Sequence, residues 1–163
     1  MSQDKSLRDH LLFLLRDGHA HIGFDATVEG LAPELRGKRP AGTPHSPWEL
    51  LEHLRLAQWD ILEFSRNPKH VSPKWPEGYW PESPEPPNGA DSAAWDASVA
   101  AFRRDLQAME ALVADPKSDL FAPFPWGKGQ TLLREALLLA DHNSYHLGQL
   151  VLVRRLLGAW KEG

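Results

Sequence analysis

The sequence predicts an all-α protein, a four-helix bundle within a single domain spanning 1–163, and three observations carry that expectation. Apolar residues recur at helical spacing through four long stretches. One stretch opens on a full set of helix-start residues, Ser46-Pro47-Trp48-Glu49. No stretch alternates apolar and polar residues over a useful strand length, and no segment repeats. Four long helices, each with an apolar face, bury those faces most simply against one another.

The first stretch predicts a helix from about Ser6 to Glu29. Leu7, Leu11, Leu14 and Leu15 share a face, with Arg8, Asp9, Arg16 and Asp17 on the others. Gly18 and Gly23 weaken its second half. A loop rich in Gly and Pro follows, over 30–45. In the second helix Ser46 caps, Pro47 fills the first helical position and Glu49 completes a capping box. Leu50, Leu51, Leu54, Ala57, Ile61 and Leu62 form its stripe, and Asn67-Pro68 ends it near Arg66. The third helix runs from about Asp91 to Ala114, with Trp95, Val99, Phe102, Leu106, Met109 and Val113 on one side. After a turn segment with Pro116, Pro123, Pro125, Gly127 and Gly129, Thr131 caps a fourth, mostly apolar helix that reaches about Leu157.

The 24 residues from Asn67 to Ala90 hold seven of the fourteen prolines, together with Trp75, Tyr79 and Trp80. Three large aromatics are out of place in a disordered linker. The segment therefore reads as ordered, stiffened by proline and packed on the bundle. Fully extended it would reach about 80 Å at ~3.3 Å per residue, against about 30 Å for a 20-residue helix. That length allows a crossover between helices two and three and an up-down-down-up order.

Composition narrows the function classes. The net charge of -4 offers no excess of cations for phosphate neutralisation, so nucleic acid is not an expected partner. There is no cysteine, which removes disulfides, thiolate ligands and a cysteine nucleophile. No apolar run approaches the ~20 residues that span a bilayer, and the first residues do not read as a signal peptide. The expected location is the cytoplasm, with no membrane partner.

Seven tryptophans and eight histidines stand out, and the histidines are not spread evenly. His142 and His146 are four apart, which puts both imidazoles on one face of the last helix. That helix is apolar around them, so the face should turn inward. His53 lies within the apolar stripe of helix two and should turn inward as well. Three buried imidazoles need partners, and one divalent metal ion would satisfy all three. The residue after His142 is Asn143, whereas the zinc-peptidase pattern needs a glutamate there as general base.

Two segments carry a resemblance. The capped helix reads Ser46-Pro47-Trp48-Glu49-Leu50-Leu51-Glu52-His53-Leu54, and the last helix reads Ala140-Asp141-His142-Asn143-Ser144-Tyr145-His146-Leu147-Gly148-Gln149-Leu150. Together they look like the DinB/YfiT-like superfamily of metalloenzymes, over nearly the whole chain. The resemblance implies a four-helix bundle with a crossover between helices two and three, frequent homodimers, and a nickel, zinc or similar ion on His53, His142 and His146. It also implies enzymes acting on small molecules, since characterised relatives include thiol S-transferases and a thiol-dependent isomerase that use low-molecular-weight thiols.

An ion held by three neutral imidazoles keeps its charge and open positions, and so acidifies a water or thiol placed on it. Hydrolase and thiol-transferase chemistry both follow, and any thiol must arrive as a cosubstrate. Glu49 and Gln149 are the candidate catalytic residues, with capping the competing role for Glu49. Asp60, two turns beyond His53, is a further carboxylate within reach. His21, Asp25, Trp75, Tyr79, Trp80 and Trp126 are candidates for the pocket wall. His10 and His19 read as exposed, and His45 and His70 as loop residues. Two other readings stand beside the enzyme: a metal-binding or stress-related protein whose bundle serves dimerisation, and a bundle in which the histidines are only hydrogen-bonded core residues.

Overall fold

Ser46 starts a helix by the chemistry its sequence advertises. In a computed structural model, which describes residues 2–16, 20–89 and 92–160, its hydroxyl accepts from the Glu49 amide and the Glu49 carboxylate accepts from the Ser46 amide. The helix it opens, α3, runs Pro47–Arg66. The other α-helices are α1 (Gln3–Arg16), α2 (Phe24–Val28), α4 (Ser92–Ala114) and α5 (Leu132–Leu156). Two short 3-10 turns lie at Pro33–Leu35 and Glu77–Tyr79. The described residues contain no strand, only an isolated bridge between Pro123 and Thr131. The protein is therefore all-helical.

The expectation of one helix from Ser6 to Glu29 is corrected. α1 starts earlier and ends at Arg16, and α2 is a separate short helix. Gly23 is the reason visible in the described residues: it is extended (φ -74, ψ 170) at the N-cap of α2. The bend turns Phe24 inward to stack on Phe102, with ring centroids 3.8 Å apart. The link through 17–19, and His19 with it, lies outside the described residues, as does the expected start of the third helix at Asp91.

α3 packs against both α4 and α5, and α1 packs against the same two. The core has two parts. Leu50, Leu51 and Leu54 from the first half of α3 meet Trp95, Val99 and Phe102 of α4 and Leu147, Leu150 and Val153 of α5. Ile61 and Leu62 from its second half meet Met109 and Val113 of α4 and Leu132, Ala136 and Leu139 of α5, with Leu11 and Leu15 of α1. Between the parts, the fully buried Gln58 donates to the Phe102 carbonyl at 2.7 Å and accepts from Asn143 at 3.0 Å. These bonds join α3 to α4 and α5 at mid-length and satisfy a polar group that would be costly to bury alone.

Two arginines close helix ends. Arg8 is 8% exposed and donates to the carbonyls of Val113, Asp115 and Ser118, so α1 caps the end of α4. Arg154 donates to the carbonyls of Thr27 and Ala159. α5 ends in a Schellman turn, with Ala159 bonded back to Arg154 and Gly158 to Arg155. The turn needs the left-handed φ of +67 that Gly158 supplies.

The proline-rich stretch 67–90 is ordered wherever it is described. The Ser46 hydroxyl donates to the Pro84 carbonyl at 2.6 Å. His70 and the Tyr79 phenol both bond to Asp60 on α3. Proline lowers the entropy lost in ordering such a strap. No described helix is long and apolar enough to cross a membrane.

Candidate metal centre

α3 brings His53 to the bundle interior, and α5 brings His142 and His146. The i, i+4 spacing does for the pair what helix geometry requires: their rings lie 4.5 Å apart between centroids. His53 Nε2 is 3.0 Å from His142 Nε2 and 3.1 Å from His146 Nε2. One ligand nitrogen from each lies within 4.8 Å of the other two. His53 is 2% exposed and His146 9%, with His142 half-buried.

The outer nitrogens decide which atoms carry protons. His53 Nδ1 lies 2.9 Å from the Tyr79 carbonyl, which can only accept, so Nδ1 holds the proton and Nε2 presents a lone pair. His146 Nδ1 lies 2.7 Å from Gln149 Oε1, which fixes the same tautomer. Two lone pairs thus face each other at 3.1 Å. His142 can relieve at most one of them by donating from Nε2, and its own Nδ1 is buried without a partner. A cation among the three nitrogens satisfies them together.

The residues fit such an ion. Nitrogens at ~2.0–2.1 Å from a tetrahedral zinc lie about 3.3 Å from one another, close to the 3.0 and 3.1 Å that separate His53 Nε2 from the other two. Metal ligation also requires neutral imidazoles. Burial, followed by the neighbouring rings, pushes His142 down to about 3. Burial likewise takes His53 down to about 4, against the opposing pull of the Tyr79 carbonyl. His146 is lowered by burial too, partly offset by Gln149. All three could hold a metal ion at neutral pH without first losing a proton.

The surrounding residues divide into those the fold brings to the triad and those it does not. Tyr79 is buried, and its carbonyl holds His53. Trp80 is half-buried and stacks face to face on His53 at 3.9 Å. Gln149 orients His146 through its side-chain oxygen. Trp75 is 69% exposed and touches Tyr79 rather than the imidazoles. Trp126 donates to the Phe64 carbonyl and stacks on Phe124. Eleven residues of α3 separate Phe64 from His53, about 16 Å at 1.5 Å per residue.

His21 bonds to Ser144 at 3.0 Å, and Asp25 pairs with Arg103 at 2.7 Å. Neither joins the triad. Glu49 is engaged at both oxygens, by the Ser46 amide and by the Arg39 guanidinium. Burial raises its pKa, but Arg39 and the Ser46 amide outweigh that and leave it below the ordinary carboxylate value. Its contacts are those of a helix cap.

Two residues read only as loop histidines have defined neighbours. His45 stacks on the other face of Trp80 at 4.0 Å, so the indole lies between two imidazoles. His70 bonds to Asp60 at 2.7 Å. The signal for Asp60 was present in the sequence: seven residues from His53, it falls on the same face of α3.

A family model described as the DinB superfamily matches residues 20–150, a span that holds all three histidines. No curated protein and no solved structure matches the chain.

Proposed function

The chain belongs to the DinB superfamily, and from that premise we propose that it is a metal-dependent enzyme acting on a small molecule, with one divalent ion on His53, His142 and His146. The observation that carries the reading is the convergence of three Nε2 atoms, two of them fixed as lone-pair donors by the Tyr79 carbonyl and Gln149. When bound, the ion supplies Lewis acidity that lets a thiol or water ionise near neutral pH. The chain's residues do the rest. The Tyr79 carbonyl and Gln149 hold protons on Nδ1 and leave Nε2 free. Trp80 covers one face of His53 and keeps water off it. Glu49 is engaged as a helix cap and Gln149 as the anchor of the His146 ring, so the contacts of both are structural. The reading takes the reaction as thiol S-transfer, with a low-molecular-weight thiol as cosubstrate, or as hydrolysis. Nickel and zinc both suit an all-imidazole site.

The same reading takes the chain as one domain and its long helices α1, α3, α4 and α5 as an up-down-down-up bundle. In support, the first half of α3 meets the first half of α4 and the second half of α5, while Arg8 near the start of α1 meets the end of α4. It takes the protein as cytoplasmic and as a homodimer, with Leu138, Tyr145, Leu152 and Leu156 forming an exposed apolar stripe on α5. Light scattering on the purified protein checks the dimer.

Metal analysis of the purified protein tests the core of the reading, with a His53→Ala, His142→Ala double variant as control. Near-stoichiometric nickel or zinc in the parent and little in the variant is expected. Equal content in both refutes it. A panel of thiols with electrophilic acceptors, assayed with and without metal, then tests the transferase.

A further inference from the structure

His53 is oriented by a backbone carbonyl, and that carbonyl belongs to the proline-rich strap rather than to a helix. What places the strap is therefore part of what places the ligand. Tyr79 is 8% exposed, and its phenol donates to Asp60 Oδ2 at 2.7 Å. The other carboxylate oxygen takes His70 Nε2 at 2.7 Å. The side chains of Asp60 and His70 are 14% and 6% exposed, so both bonds are shielded from water. Asp60 and His53 stand on the same face of α3, two turns apart. One helix thus grips the strap at both ends of Tyr79: the phenol at Asp60 and the carbonyl at His53. Gly78 packs so closely on Pro73 that a Cβ there would lie 2.6 Å from it, so the turn before Tyr79 has room for glycine but not for a larger residue.

We propose that Asp60 is a positioning residue for the metal centre, acting through Tyr79 to fix the place and tautomer of His53. This rests on the metal-binding reading above. The Asp60 carboxylate orients the phenol, the phenol sets the register of the strap, and the strap delivers the carbonyl to Nδ1. Partners of this kind, one bond removed from a ligand, commonly change metal affinity by about 10–100-fold. Asp60 lies one residue further out, so a loss near the lower end, about tenfold, is expected.

The test uses metal-stripped full-length protein titrated with Co2+ and, separately, with Zn2+ against a competing chelator. The variants are Tyr79→Phe, Asp60→Asn and His53→Ala, with melting temperatures measured without metal. Tyr79→Phe removes one oxygen and keeps the carbonyl, and Asp60→Asn keeps the side-chain volume, so at least one variant is expected to fold. The expected result is metal binding weakened about tenfold in both. A shifted visible absorption band in the Co2+ protein is also expected, since that band reports how the imidazoles are placed. Parental affinity and an unchanged Co2+ spectrum in a folded Tyr79→Phe protein, even one with a lower melting temperature, overturn the inference and leave the metal site standing. If the parent binds no metal, or His53→Ala binds as well as the parent, the metal-binding reading falls and takes this one with it.

Discussion

Replacing His53 with alanine separates a metal ligand from a core histidine, because the two roles give different temperature shifts. In metal-free protein the ring stacks on Trp80 at 3.9 Å and 3°, a contact of about 0.5–1.5 kcal/mol. It is also the donor to the Tyr79 carbonyl, and leaving a buried acceptor without one costs about 1–3 kcal/mol. Relief of the crowded Nε2 atoms works the other way, so a net loss of about 2–3 kcal/mol is expected. At roughly 2–4 °C per kcal/mol for a domain of this size, the metal-free variant melts about 4–12 °C below the parent. Metal adds a second, independent difference. Free ion at 100 times its dissociation constant stabilises the parent by about 2.7 kcal/mol, or about 5–11 °C. The variant should gain little of this. Thermal melts of both proteins, with and without added Zn2+ or Ni2+, read all four values. A parent that gains nothing from the ion, or a variant that gains as much, refutes the reasoning even if the metal-free loss is as expected.

Three further outcomes follow from the same geometry. His53 and His142 sit at about 4 and about 3 in the folded protein, against 6.5 for an ordinary histidine. Between pH 6.5 and 4.5 the unfolded chain therefore binds protons that these native imidazoles refuse, and metal-free stability falls as pH falls. Urea midpoints across that range check this, and His142→Ala should flatten the fall; an unchanged slope refutes it. Burial, then the bond to Asp60, pushes the Tyr79 phenol up to about 12, so absorbance titration should show one of the two tyrosines ionising late. Asp60→Asn should bring it back toward ordinary values, and no change would mean that the carboxylate plays no part. Ser46→Ala removes the acceptor for the Glu49 amide and the donor to Pro84, which should cost about 1–2 kcal/mol by urea denaturation; a loss under a few tenths refutes the capping account.

The residues that spoke clearly in the sequence were those whose role is local. As caps, Ser46 and Thr131 bond to amides three residues on, and both cap the helices assigned to them. His142 and His146 face the same way because helix geometry leaves no choice, and the stripe around His53 turns it toward them. In the sequence Gly23 marks a weak point rather than a break, because the gain that favours the break is the distant stack of Phe24 on Phe102. Glu49 and Trp126 are candidates by their place in the chain, one turn before His53 and in a segment able to cover the bundle, and the partners that engage them, Arg39 and Phe64, are set by tertiary packing. The carbonyl of Tyr79 had no signature at all, since every residue has one and only the path of the strap selects it.

The distances along the chain between the three imidazoles have a consequence for when the site exists. His53 stands 89 residues from His142 and 93 from His146, while the latter two share one helix. Two ligands can thus meet in any state that has formed α5, but the third must be brought across most of the chain. Closing a 93-residue loop rather than a four-residue one costs about 2.8 kcal/mol more in chain entropy, which only the native fold has already met. In a protein with no cysteine, an ion held between α3 and α5 as proposed would be a reversible cross-link made after folding. Its occupancy would then serve as a gauge of assembled molecules, and a chain that has lost the register between those two helices would release metal before it loses helix content.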